Sequence, residues 1–215
     1  LYCLLYLKKY IMFEVNGNNI IQKNLLDSLN NTIIGIFNML LKSGSRSMER
    51  YHWDKCLLFP FPINENRPQL YLGAAHGLIG VLYILLSTIK FFPELLKQQL
   101  MINDNIINIQ DILLKSIKYD QSLQIESTGN FPSDIGGKDS GELVHFCHGC
   151  VSAVHLFLLA EQFYPNNGFE ETALSCNKCL WERGLLYKGN SLCHGMPGIV
   201  YSLIRLYKYK KEDLY

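Results

Sequence analysis

Three segments of this chain share one pattern, and that pattern restricts the fold more than any other feature. "HGLIGVLYILL" starts at His76, "HGCVSAVHLFLL" at His148 and "HGMPGIVYSLI" at His194. Each reads His-Gly, two variable residues, a small residue (Gly80, Ser152, Gly198), two apolar residues, then Tyr83, His155 or Tyr201, then more apolar residues. A repeat of this kind marks one structural unit used several times and stacked against its own copies. His148 and His194 are 46 residues apart, a length that suits two antiparallel helices with their turns. His76 and His148 are 72 apart because the Gly-, Ser- and Asp-rich stretch from Asp120 to Glu142 intervenes.

The remaining periodicity is helical. Leu26, Leu29, Ile33, Ile36, Phe37 and Leu40 follow the three-and-four spacing of one apolar face, as do Ile106, Ile109, Leu113 and Ile117, and Ala173, Cys176 and Leu180. Period-two alternation bounded by hairpin turns is hardly seen. Each repeat therefore reads as a His-Gly turn, a strongly apolar helix and a more amphipathic return helix such as Glu170 to Leu186. Apolar inner helices ringed by amphipathic outer ones predict an all-α chain, an α/α toroid or a helical solenoid. Trp53 to Pro68, with prolines at 60, 62 and 68, and Asp120 to Glu142 read as long loops.

Composition narrows the function. The 215 residues suffice for one domain with a real core, and 20 basic against 19 acidic residues leave a net charge of +1. No extended field is present to attract nucleic acid or an anionic membrane. The longest apolar run, Leu78 to Ile89, is too short to span a bilayer and reads as a buried helix. The opening "LYCLLYLKKYIMFEV" has no initiator Met and no convincing signal peptide, and "RLYKYKKEDLY" ends soon after a helix, so the chain is expected to be a fragment. Seven cysteines without a secretory signal point to a reduced, cytoplasmic compartment with metal or thiol chemistry.

Pro197 suits the first turn of a helix, where its missing N–H has no intrahelical use. Cys193 and His194 then lie in the loop just before a helix N-terminus, and the repeat places Cys147 and His76 at matching points. If the inner helices run parallel around a ring, these loops share one end of it. Cys147, Cys193 and His194 would supply two thiolates and an imidazole, the donors of tetrahedral zinc with a fourth position open.

Other arrangements of the same residues compete. Cys147-His148-Gly149-Cys150 and Cys176-Asn177-Lys178-Cys179 are both CxxC and together suggest a four-cysteine structural zinc. Cys176 sits in an amphipathic helix, so buried thiols on a helix face are the preferred reading. Cys3 and Cys56 have no partner pattern, His155 reads as a core histidine, and His52 and His145 read as surface residues or as supports to the site. His148 is the spare ligand candidate.

The segments "YLGAAHGLIGVLYILL" (Tyr71 to Leu86), "GNFPSDIGGKDSGELVHFCHG" (Gly129 to Gly149) and "KGNSLCHGMPG" (Lys188 to Gly198) resemble, in order and spacing, those of the lanthionine synthetase C-like family, over the chain from Tyr51 onward. The resemblance implies an α/α toroid of seven inner and seven outer helices, of which residues 1–215 are a partial domain. It implies zinc on Cys147, Cys193 and His194, His76 as acid/base and Lys188 as a glutathione contact. "GAAHG" and "LVHFCHG" are similar to the eukaryotic branch, which implies addition of glutathione to dehydroalanine or dehydrobutyrine residues of proteins. A catalytically silent zinc- and glutathione-binding scaffold or signalling adaptor is the alternative. The location implied is cytoplasmic, with peripheral contact at the plasma membrane allowed. A glycosidase or terpenoid cyclase on a similar toroid would call for paired carboxylates or an acidic cluster.

Three departures from the family pattern stand out. The chain has "HGCVS" after Cys147 where Gly-Pro is usual, Phe146 where tryptophan is common, and an insertion at Asp54 to Arg67. The first of these predicts a shifted helix start after His148. The opening and closing repeats of the ring are also missing from the pattern.

Overall fold

All three His-Gly segments end one residue before a helix. In the computed structural model, which describes residues 1–14, 20–61, 69–136 and 141–212, α3 (Leu78–Phe91) follows Gly77, α5 (Cys150–Phe163) follows Gly149 and α7 (Met196–Glu212) follows Gly195. The helix after His148 therefore starts in the same register as the other two, although it lacks the Gly-Pro pair. The remaining helices are α1 (Tyr2–Glu14), α2 (Ile20–Arg50), α4 (Ile109–Gln121) and α6 (Phe169–Arg183), with a short 3-10 turn at Pro93–Lys97. Part of the Asp54 to Arg67 insertion (62–67) and of the Asp120 to Glu142 loop (137–140) lies outside the described residues.

Among the described residues the protein is mostly helical, with one small hairpin. Strands β1 (Gln99–Ile102) and β2 (Asn105–Asn108) pair antiparallel, Ile102 opposite Asn105. Asn103 and Asp104 turn the hairpin with φ of 47° and 61°, the left-handed pair that a two-residue turn requires and that Asn and Asp tolerate. The hairpin corrects one sequence expectation. Ile106 does not open the apolar face of α4 but lies in β2, 66% exposed, while Ile109, Leu113 and Ile117 are buried as predicted. Likewise α6 ends at Arg183, before Gly184, and not at Leu186.

α5 is the centre of the packing. Its residues from Cys150 to Ala160 are all buried, on every face. A helix apolar all round belongs inside a fold, and α5 packs against α3 on one side, α7 on another and α6 along a third. α4 packs on α3, and α6 packs on both α5 and α7. Side chains at equivalent repeat positions meet across this row. The His155 ring lies 6.4 Å from that of Tyr83 and stacks on Tyr201 at 5.4 Å. His155 is the buried core histidine expected, its Nε2 3.1 Å from Ser202 Oγ. Burial, and then the charge of Arg205, lower its pKa to about 4.

The repeated small residue also has a steric reason. A Cβ on Gly80 would lie 2.1 Å from the Ala74 carbonyl oxygen, and one on Gly198 would lie 2.4 Å from that of Leu192. In both repeats the first helical turn rests on the loop six residues earlier, which presses the His-Gly loop onto the helix start. No helix among the described residues is long and apolar enough to cross a membrane.

Candidate metal centre

Three loops converge on the ends of α3, α5 and α7. The first carries Gly73 and His76. A Cβ on Gly73 would stand 1.7 Å from the Cys147 carbonyl oxygen and 2.8 Å from the His148 Cα, so only glycine lets this loop lie against the Cys147–His148 peptide. The third loop is stitched to the second through one carbonyl. The amides of Phe146 and Cys147 donate to Cys193 O at 3.0 and 3.3 Å. Ser191 then fixes the turn that presents His194, accepting from the His194 amide at its Oγ (3.2 Å) and from the Gly195 amide at its carbonyl (2.9 Å).

The second loop is held from inside by Asn130, which is fully buried. Its Nδ2 donates to Gly141 O at 2.6 Å and Leu143 O at 3.0 Å, and its Oδ1 accepts from the Cys150 amide at 2.8 Å. The last of these satisfies the first N–H of α5, one of the donors that a helix leaves without an intrahelical partner. Gly149, between the two, has φ +97°, and a Cβ there would collide with Leu143 O at 2.2 Å. The turn from Leu143 to Cys150 is thus built around a single amide side chain, which no sequence pattern announced.

Cys147, Cys193 and His194 come together at this junction, their ligand atoms all within 4.8 Å of one another. Cys147 Sγ lies 3.4 Å from His194 Nδ1. Cys147 is buried, Cys193 half-buried and His194 exposed, so the group opens to solvent on the histidine side. Burial, then the Cys193 thiol beside it, push the Cys147 thiol up to about 11. Two thiols and an imidazole nitrogen in one cluster are soft donors that a cation would stabilise as thiolates, and they fit zinc. Among the described residues no other His, Cys, Asp or Glu cluster meets this spacing.

The other predicted residues lie around this group rather than in it. The exposed His76 ring is 6.3 Å from that of His148, and Tyr71 stands beside both, at 5.8 and 5.3 Å. Phe61, from the segment before the first motif, closes on His76 at 5.4 Å. The His148 ring thus lies beside His76 and Tyr71, and it is Cys147, not His148, that meets Cys193 and His194. His145 is buried with its ring 5.8 Å from that of His194. Burial, then the charges of Lys188, His194 and His148, lower its pKa. Lys188 itself is exposed.

The two CxxC segments do not form one site. Cys147 meets Cys193 and His194, whereas Cys150, Cys176 and Cys179 are buried on the packed helices α5 and α6. Cys56 is buried, with Trp53 Nε1–H donating to its sulfur at 3.3 Å, and Cys3 is exposed.

The sequence model described as lanthionine synthetase C-like protein matches residues 10–215. The chain belongs to the lanthionine synthetase C-like family. It is 34% identical over 143 residues to "Glutathione S-transferase LANCL1" of Danio rerio, a match covering 66% of this chain and 32% of that protein. It is 28% identical over 146 residues to "LanC-like protein GCL1" of Arabidopsis thaliana, covering 67% of this chain and 30% of that protein. The chain thus spans about a third of the length of these curated relatives.

Proposed function

We propose that this protein adds glutathione to dehydroalanine or dehydrobutyrine residues of proteins, as part of an α/α toroid of which residues 1–215 form a partial domain. The observation that carries the reading is the meeting of Cys147, Cys193 and His194 within 4.8 Å, with the His76 ring across the adjoining His148. The name of the zebrafish relative supports glutathione as the co-substrate.

Cys147, Cys193 and His194 would hold zinc, leaving the exposed side of the cluster for the incoming sulfur. A glutathione thiol has a pKa near 8.5 and is mostly protonated at neutral pH; zinc, when bound, supplies the positive charge that holds that sulfur as thiolate. Lys188, exposed beside the site, is suited to a carboxylate of the tripeptide. Addition forms the carbon–sulfur bond at the β-carbon of the dehydroamino acid and leaves an enolate, which takes a proton at its α-carbon. His76 is the group to deliver that proton, because an imidazole gains and releases protons near neutral pH. Tyr71 and Phe61 flank its ring.

The test is to incubate the zinc-loaded protein with glutathione and a dehydroalanine peptide and to follow the mass of one added glutathione. The adduct is expected to disappear with Cys193→Ala together with the zinc, and with His76→Gln while the zinc stays. Stoichiometric zinc and bound glutathione with no adduct would overturn the enzymatic reading in favour of a binding scaffold.

A further inference from the structure

Phe61 reaches the site from a stretch that departs from the family pattern, the insertion Asp54 to Arg67. An antiparallel bridge to Gln69 fixes its backbone. The Phe61 amide donates to Gln69 O at 2.8 Å, and the Gln69 amide donates back to Phe61 O at 3.2 Å. The run that follows Gln69 is tied in turn to residues 133–135. The Ile135 amide donates to Leu70 O at 2.7 Å, the Leu72 amide donates to Ser133 O at 3.0 Å, and Gln69 Nε2 donates to the Asp134 carboxylate.

These pairings set the Phe61 ring against the first motif. It stands at 63° to the His76 imidazole, 5.4 Å between centres, and 5.8 Å from the Tyr71 ring. Phe61 is nevertheless 41% exposed, and His76 is exposed beside it. The phenyl ring thus has one part packed on the proposed acid/base and its partner Tyr71, and another part open to whatever approaches His76.

We propose, resting on the addition reaction assigned above, that Phe61 selects the acceptor sequence by receiving an apolar side chain adjacent to the dehydroamino acid. For His76 to protonate the α-carbon, that carbon must come within about 3 Å of an imidazole nitrogen. Successive Cα atoms of a polypeptide are only about 3.8 Å apart. With the two ring centres 5.4 Å apart, a residue flanking the dehydroamino acid comes within side-chain reach of Phe61.

The surroundings decide the chemistry of that contact. Phe61, Tyr71, His76 and His148 form one connected group of rings, so an aliphatic or aromatic side chain laid on Phe61 removes apolar surface from water on both partners. A lysine or arginine could also stack on the phenyl ring. It would stand beside the imidazolium that His76 becomes before releasing its proton, and like charges repel. A serine gains nothing from the ring.

The test compares two dehydroalanine peptides that differ only in the flanking residues, leucine on both sides in one and serine in the other. With zinc-loaded protein and saturating glutathione, the leucine peptide should be favoured about 3- to 10-fold in kcat/KM, the size of an aromatic side-chain contact. The preference should appear chiefly in KM, because the contact is the same in the bound substrate and in the transition state. In Phe61→Ala the ratio should fall to about one, and in Phe61→Trp it should persist. A residue that merely braces Tyr71 and His76 would, when truncated, slow both peptides alike and leave the ratio unchanged, an outcome that overturns the proposal. A wild-type ratio near one overturns it without any variant. If neither peptide gives an adduct, the addition reaction itself fails, and Phe61 is judged on fluorescence anisotropy of the two peptides with alanine in place of dehydroalanine. Equal affinities then overturn its role, and a leucine preference lost in Phe61→Ala upholds it.

Discussion

Replacing Asn130 by alanine is expected to damage the metal centre from a distance. The side chain makes three hydrogen bonds, to Gly141 O, Leu143 O and the Cys150 amide, and none of them reaches a ligand. Each contributes on the order of 1 kcal/mol net; truncation takes this partner from the Leu143 carbonyl and the Cys150 amide, at about 1–3 kcal/mol each, while Gly141 O keeps the Arg183 Nη1 donor at 3.1 Å. The expected loss is therefore roughly 3–5 kcal/mol, a large share of a total stability of about 5–15 kcal/mol. The assay is urea unfolding at pH 7 with a chelator present, followed by zinc titration of the folded variant. Zinc affinity should fall together with stability, because Leu143 to Cys150 is the turn that aims Cys147. Asn130→Asp keeps the acceptor for the Cys150 amide but points a carboxylate at two carbonyl oxygens, and it should be no better than alanine. A loss below about 1 kcal/mol with unchanged zinc affinity would refute the argument that one amide organises the ligand turn.

Gly73→Ala should lower stability and zinc affinity together, since the added methyl would meet the Cys147 carbonyl at 1.7 Å; unchanged zinc binding would show that the two loops separate freely. His155 has a folded pKa of about 4 against about 6.5 unfolded, so the unfolded chain binds its proton first as pH falls. The stabilisation is complete above pH 6.5 and is lost between there and pH 4, about 3 kcal/mol in all, and this loss should be absent in His155→Gln unfolding curves measured across that range. Asp120 is fully buried with neither carboxylate oxygen hydrogen-bonded, and burial raises its pKa well above the usual range. Ionisation in the unfolded chain then erodes stability as pH rises above about 4. Asp120→Asn should accordingly raise the Tm at pH 7 and flatten its dependence on pH, a trend that calorimetry can test.

The repeat was legible because it is written in local chemistry. His-Gly followed by a small residue and an apolar run specifies a turn pressed against a helix start, and α3, α5 and α7 begin at matching positions in all three copies. The hairpin was not legible. Ile106 fits the spacing of the α4 face as well as it fits a strand, and only the left-handed Asn103-Asp104 turn separates the two. For the cysteines, CxxC spacing alone could not say which sulfur faces which way, because Cys147 precedes the Gly149 turn and Cys150 follows it.

By itself the sequence determined the helical class, the three loop-before-helix units and the soft-donor character of Cys147, Cys193 and His194. Each of these depends on neighbours in the chain, on periodicity, on turn residues or on the chemistry of a side chain. Tertiary structure alone decided that Asn130 holds the ligand turn, that Gly73 lets the His76 loop touch the Cys147–His148 peptide, and that Cys147 meets Cys193 and His194. These are contacts between residues far apart in the chain, fixed by how closely α3, α5, α6 and α7 approach, and an approach distance leaves no mark on local spacing.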